Sequence, residues 1–288
     1  MKRVVLTLLS EHTNLSKTPL QQETVIHKKY EYPSKRITND SLNDLFNSIR
    51  EIRKDWIVFE LTTDNHNTYA DITFLSLAEG ENAFTVPSAV IRLVEEFFKS
   101  EDFISRFVSN ENIIIGNTSE KYSDEEAEEE GVLIKITEHT TRNNSDSDFV
   151  SLLKEHEAKF DVVTTNFLSS DIGASSYVIE TMVYIHDVVK SGVTYDLLKA
   201  ALLMKFPFLI NKLDEQEIDI INYKKFLESL SQQTDIQVEH LTLVNRKKTK
   251  TGIKFKFQND NVIIQVKCNE KYMIEDIDRK ERTLNKAM

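Results

Sequence analysis

Two segments in which apolar and polar residues alternate constrain the fold of this chain more than any other feature. In the first, 57–61 reads IVFEL and 70–74 reads ADITF, with a polar stretch between them. In the second, 252–257 reads GIKFKF and is followed by NVIIQVKC at 261–268. Because the side chains of a strand point alternately to opposite faces, each pair predicts an antiparallel hairpin with one buried face.

The second hairpin also predicts which side chains share a face. A two-residue turn at 259–260 sets Phe257 opposite Val262 and places both on the buried face together with Phe255. The opposite face then carries two lysines, Lys254 and Lys256. With the alternating segment 236–245, the hairpin predicts a three-stranded antiparallel meander, followed by a charged helical tail.

Apolar residues at helical spacing predict two helices in the first half of the chain. Residues 41–53 begin with Ser41, which with Asp44 resembles a capping box, and they carry an apolar stripe of Leu42, Leu45, Ile49 and Ile52. Pro87 begins a second amphipathic pattern, as expected for the first residue of a helix. The other regular segments of this half are strand candidates, namely 3–9, 24–32 and 131–137.

The second half contains a short helical pattern at 149–158 and three longer ones. Residues 175–190 carry apolar side chains at helical spacing, and residues 214–233 begin with Asp214 and Glu217 in capping-box positions. Between them, 197–210 is apolar on more than one side and must be buried in the core or against a partner. The residues expected to dock a partner are Leu198, Leu202, Phe206 and Phe208.

The polar, turn-forming stretch HTTRNNSDSD at 139–148 predicts a boundary between two domains. We expect an α+β fold with an acidic domain at 1–143, built from a mixed sheet with helices. The domain at 144–288 is expected to be a helical block capped by the antiparallel meander.

The composition indicates the cellular compartment and the kind of genome from which the protein comes. Cys268 is the only cysteine, which excludes an intramolecular disulfide and fits a reducing cytoplasm. It ends a strand on the side of the apolar residues and is predicted to lie in the core. No window reaches the roughly 18 apolar residues of a membrane span, and we expect no membrane contact. The richness in Lys, Asn and Ile is typical of proteins from AT-rich bacterial or phage genomes.

Charge is distributed unevenly along the chain. Residues 234–288 contain 12 Lys and Arg against 8 Asp and Glu, a net charge of +4, whereas the whole chain carries −11. Six of the basic residues lie at 246–256, where there is no acid: Arg246, Lys247, Lys248, Lys250, Lys254 and Lys256. Such a segment is typical of a ribbon that meets phosphates, of an edge hairpin kept soluble by lysines, or of a surface for an acidic protein.

Acidic residues form two further groups. The run at 124–130 lacks the pattern of an EF-hand loop and is expected to be solvated. The first hairpin brings together four candidate metal ligands, Glu60, Asp64, His66 and Asp71. Such groups hold divalent metals in hydrolases, although charged residues are also ordinary on the solvent face of a hairpin.

The sequence contains no glycine-rich phosphate loop and no nucleophile elbow. The leading hypothesis is therefore a cytoplasmic protein-interaction protein: an adaptor, inhibitor or regulatory subunit without cofactor, acting with a protein partner or as a homo-oligomer. The first alternative is a nucleic-acid-binding protein that uses 246–256. The second is a metal-dependent hydrolase or nuclease, and the absence of catalytic patterns favours a protein that is not an enzyme.

Overall fold

The computed structural model describes twelve ranges of the chain, and in them the protein has four α-helices and two β-sheets. The described residues are 2–14, 21–34, 36–53, 56–78, 86–100, 131–140, 147–155, 159–170, 176–186, 218–249, 251–259 and 262–281.

The larger sheet has eight strands. They are β1 (Lys2–Asn14), β2 (Gln21–Ser34), β3 (Ile57–Thr63), β4 (Asn67–Ala78), β5 (Gly131–Thr140), β6 (Phe160–Ser170), β7 (Ser176–Ile185) and β8 (Ile218–Ile221). Their order is β2-β1-β4-β3-β6-β7-β5-β8. Strands β1 and β4 are parallel, and the other neighbouring pairs are antiparallel.

The helices are α1 (Asn39–Arg53), α2 (Ser88–Ser100), α3 (Asp148–Glu155) and α4 (Tyr223–Thr234). Helices α1 and α2 contribute to a core on one face of the larger sheet. In this core Phe46 of α1 stacks on Phe59 with ring centroids 4.9 Å apart, and Phe98 of α2 stacks on Tyr32 at 3.9 Å. Aromatic pairs of this kind contribute beyond the area that they bury.

The smaller sheet has four antiparallel strands, β9 (Thr242–Thr249), β10 (Gly252–Asn259), β11 (Val262–Cys268) and β12 (Ile274–Glu281), in the order β12-β11-β10-β9. Its inner face packs on α4, where the ring centroids of Phe226 and Phe255 lie 4.8 Å apart. Leu133 and Met182 of the larger sheet belong to the same core. The two sheets therefore share a hydrophobic core.

Several sequence predictions are confirmed. The first hairpin has the predicted pairing, with Phe59 opposite Ile72 and Leu61 opposite Ala70. The predicted strands at 3–9, 24–32 and 131–137 are β1, β2 and β5. The mixed α/β composition with an antiparallel meander is observed. The boundary at 143/144 stays a prediction; strand β6, which follows it in sequence, pairs with β3, which precedes it.

The predicted helix at 175–190 is wrong over its described part, because 176–185 forms strand β7. This strand lies between β5 and β6 and is buried on both faces, as Met182 and Val183 show. Apolar residues on both faces of a strand include some at helical spacing, and such a run does not distinguish a strand from a helix.

The predicted starts of two helices are also wrong. Residues 218–221 form β8, and α4 begins later, where the side chain of Asn222 accepts a hydrogen bond of 3.0 Å from the Lys225 N–H. In α1, Ser41 lies inside the first turn rather than before it. The backbone N–H of Ser41 donates to Thr38 Oγ1 at 3.1 Å, and the Thr38 N–H donates to Ser41 Oγ at 3.0 Å. This reciprocal pair satisfies two N–H groups at the start of the helix.

The second hairpin differs from its predicted register by two residues. Asn259 pairs with Val262, and Phe257 therefore lies opposite Ile264. A shift of two leaves every side chain on its predicted face, since the period of a strand is two. The predicted helical tail is wrong over 274–281, which forms the fourth strand, β12.

Candidate functional site

The outward face of the smaller sheet carries lysines on three neighbouring strands. The alternation in β10 turns Phe255 inward and Lys254 outward. Lys254 is paired with Lys247 on β9 and with Lys267 on β11. Strands lie about 4.8 Å apart, and the three residues therefore form a row about 10 Å long. We call this outward surface the lysine face; it comprises Asn245, Lys247, Lys254, Lys256, Gln265, Lys267, Asp276 and Asp278.

A second row runs parallel to the first. Lys256 on β10 lies between Asn245 on β9 and Gln265 on β11. On β12 the two rows end in carboxylates, those of Asp276 and Asp278. The residues of the lysine face line an open concavity of about 290 Å³.

The lysines of this face differ in their charge partners. The Lys267 Nζ lies 3.5 Å from Glu275 Oε2. Within the described ranges, no carboxylate forms an ion pair with Lys247, Lys254 or Lys256. Like charges directly opposite each other destabilise an antiparallel pair. A bound anion would therefore stabilise this arrangement.

Arg246 points to the opposite side of β9 from the lysine row. Its side chain is buried and its guanidinium contacts the carboxylate of Asp219 on β8, to which the Tyr272 hydroxyl donates a hydrogen bond of 3.0 Å. Burial raises the pKa of the Asp219 carboxyl, against the opposing effect of the Arg246 charge. Arg246 was expected among the surface cations, but the structure places it in the junction between the two sheets.

Hydrogen bonds at β9 hold the smaller sheet against the larger one. Asn166 Nδ2 on β6 donates to the Val244 carbonyl at 2.7 Å. Asn67 Nδ2 donates to the Glu239 carbonyl at 3.0 Å, just before β9. Lys135 Nζ approaches Asn245 Oδ1 at 3.5 Å. The two hydrogen bonds donated by Asn166 and Asn67 fix the orientation of the lysine face relative to the larger sheet, and the longer, exposed Lys135 contact adds little.

Two other predicted basic residues flank this face. Lys248 is exposed near the end of β9 and is paired with Ile253, which puts it on the same side of the strand as Arg246 and not in the lysine row. Lys250 lies outside the described residues.

The predicted carboxylate group of the first hairpin is only partly brought together. Glu60 on β3 lies opposite Asp71 on β4, as predicted. The Asp64 carboxylate instead accepts hydrogen bonds from the backbone N–H groups of His66 at 2.7 Å and Asn67 at 2.6 Å, which stabilises the turn. Among the residues that the structure describes, no three His, Cys, Asp or Glu side chains are placed to hold a metal ion.

The predicted docking residues Leu198, Leu202, Phe206 and Phe208 lie outside the described residues, as does the acidic run at 124–130. In the described ranges, every helix is too short or too polar to cross a lipid bilayer.

Sequence reasoning missed the part of the lysine face that β11 and β12 contribute. Lys267 and Gln265 follow the alternation of β11, which predicts an outward position for both. Asp276 and Asp278 were assigned to a helical tail. Their spacing of two was the available signal, but a bulge opposite Lys267 and Cys268 interrupts the pattern of β12.

Comparison with known proteins gives no assignment: neither a protein-family model, nor a curated protein, nor a solved structure matches the chain.

Proposed function

We propose that the protein binds nucleic acid through the lysine face, by contacts to the phosphate backbone. The observation that supports this proposal is the set of three lysines on two adjacent strands, Lys247, Lys254 and Lys256, that have no carboxylate partner among the described residues. Lysines that neutralise phosphates release counterions, and this release drives binding that is independent of base sequence.

The composition of the face favours nucleic acid over a protein partner. The aromatic rings of β10 point inward, and the face carries lysines, carboxylates and side-chain amides. Protein interfaces are enriched in Tyr, Trp, Phe, Met and Arg at their centre and depleted in Lys. The described residues of the face include none of the enriched types.

The net charge of −11 opposes the approach of a polyanion as a whole. The Debye length is about 10 Å at 0.1 M salt, however, and a ligand on the lysine face is screened from charges farther away. Binding is therefore local and strongly dependent on salt, and the phosphate contacts themselves carry no information about the base sequence.

The protein-interaction hypothesis stays a prediction. Its docking residues, such as Leu202 and Phe206, lie outside the described structure. An acidic protein would also be attracted to the lysine face, and the experiment below separates this outcome from nucleic-acid binding.

The test is fluorescence anisotropy of labelled DNA and RNA, with the wild type and the variant K247A/K254A/K256A. With three phosphate contacts, the logarithm of the binding constant should fall with the logarithm of the salt concentration with a slope of about −3. The variant should lose binding at every salt concentration, and each single lysine variant should reduce the slope by about one.

A matched control removes three exposed lysines elsewhere, one from each of three helices: K99A/K154A/K225A. It changes the net charge by the same amount and should bind as the wild type does. Equal binding by K247A/K254A/K256A and wild type would contradict the proposal. So would a lysine face that captures a purified acidic protein but neither DNA nor RNA.

A further inference from the structure

The lysine face has a gradient of charge across its four strands. Strand β9 contributes Lys247, and β10 contributes Lys254 and Lys256. The next lysine, Lys267 on β11, lies 3.5 Å from Glu275. Its charge is therefore partly offset, and the positive potential of the face is concentrated over β9 and β10.

The far side of the same face carries negative charge. Asp276 is paired with Lys267 and Asp278 with Gln265, and both carboxylates line the concavity that the lysines line. The Lys280 Nζ lies 3.3 Å from Asp278 Oδ2 on the same strand and partly offsets the charge of Asp278, whereas no ion pair of Asp276 is found within the described ranges; the side chains of Asp278 and Lys280 are both at least half exposed. A phosphate placed over β12 would meet these carboxylates within a Debye length, and like charges that close repel each other.

We infer that Asp276 and Asp278 are positioning residues that confine the phosphate backbone of the ligand to β9 and β10. This inference rests on the proposed function. The two aspartates do not bind the ligand; they exclude it from one side of the face. The space left for phosphates is then one strand-to-strand interval, about 5 Å wide, which accommodates a single backbone.

The first experiment measures the affinity of D276N/D278N for the labelled DNA. Asparagine is close in size to aspartate, and both positions are exposed; the fold should therefore be retained. Removing two repulsive charges should tighten binding by about three- to tenfold at about 50 mM salt. The gain should shrink at about 200 mM salt, because exposed charges are screened.

The second experiment compares single lysine variants across the sheet. K254A removes a phosphate contact and should weaken binding by about tenfold at about 50 mM salt. K267A and K280A remove lysines on the excluded side. Each should change the affinity by less than about twofold, since both cations are offset by neighbouring carboxylates.

The outcomes separate this inference from the proposed function. If K247A/K254A/K256A abolishes binding but D276N/D278N does not tighten it, the confinement is wrong and the proposed function stands. If K267A or K280A lowers the affinity for DNA as much as K254A does, the proposed confinement to β9 and β10 is likewise wrong. If K247A/K254A/K256A binds as the wild type does, the proposed function itself fails, whatever the aspartate variant does.

Discussion

The two sheets of this protein differ in how they use the cations on their surfaces. On the larger sheet, two lysines form ion pairs: Lys28 Nζ lies 2.5 Å from Glu95 Oε1 on α2, and Lys135 Nζ lies 2.9 Å from Glu180 Oε1 on β7. On the smaller sheet, the lysines of β9 and β10 that face outward have no such partner among the described residues. These two lysines of the larger sheet hold its elements together, whereas Lys247, Lys254 and Lys256 of the smaller sheet form no ion pair within the described ranges.

The largest effect is expected at Cys268, which lies on the inner face of the smaller sheet and lets the unfolding of the two sheets be compared. Burial raises the pKa of its thiol from the ordinary 9.0 to about 12. Because the side chain is fully buried and the thiolate is the reactive form, a thiol reagent should label the native protein much more slowly than the unfolded chain.

The same thiol reports whether the two sheets unfold together. The rate of labelling in urea reports the unfolding of the smaller sheet. The fluorescence of the single tryptophan, Trp56, which lies just before β3, reports the unfolding of the larger sheet. Because the sheets share a core, both transitions should have the same midpoint. Labelling at a lower urea concentration than the fluorescence change would show that the smaller sheet unfolds independently.

The next largest effect is expected from two adjacent residues of β9 that point to opposite sides. R246A leaves the buried Asp219 carboxylate without its cationic partner and should lower the free energy of unfolding by about 3–5 kcal/mol. K247A removes an exposed charge and should change it by no more than about 0.5 kcal/mol. Urea denaturation measures both. Equal losses would mean that Arg246 is not buried as described.

A smaller effect should follow from weakening the junction between the sheets. N166A removes the donor to the Val244 carbonyl and should cost about 1–3 kcal/mol in the free energy of unfolding, because that carbonyl loses its partner. N245A, at an exposed position with a contact of 3.5 Å to Lys135, serves as the control and should be nearly neutral. A neutral N166A would show that the orientation of the lysine face does not depend on this hydrogen bond.

The smallest effect compares the surface lysines of the two sheets directly. K28A breaks an ion pair with Glu95 and should lower the free energy of unfolding by about 0.2–1 kcal/mol. K254A removes a lysine that lies opposite two other lysines. It should leave the free energy of unfolding unchanged or raise it by about 0.3 kcal/mol. Urea denaturation of both variants at low salt measures the difference. A clear loss of stability in K254A would mean that this lysine has an intramolecular partner.

The faces of the hairpins were predictable from sequence, but their partners were not. The alternation of Lys254 and Phe255 assigns one side chain outward and the other inward, and this assignment survives the two-residue error in register. The inward position of Arg246 was not predictable. Its partner, Asp219, lies on a short strand in a segment whose periodicity predicted a helix.

The errors at β7 and β12 have opposite physical causes. Strand β7 is buried on both faces and therefore lacks the polar alternation that would identify a strand. Strand β12 is exposed and charged, and the bulge opposite Cys268 disturbs what alternation it has. The negative border of the lysine face was missed for this reason, since a helix would not have set Asp276 beside Lys267.

The position of β12 has a further consequence, for the behaviour of the protein in a crowded solution. In the described structure β12 is an outer strand of its sheet, and six of its eight residues are charged. An open edge offers unpaired backbone groups to any strand from another molecule, and charged side chains along it oppose such addition. The same aspartates that border the lysine face thus also protect the sheet against growth into aggregates.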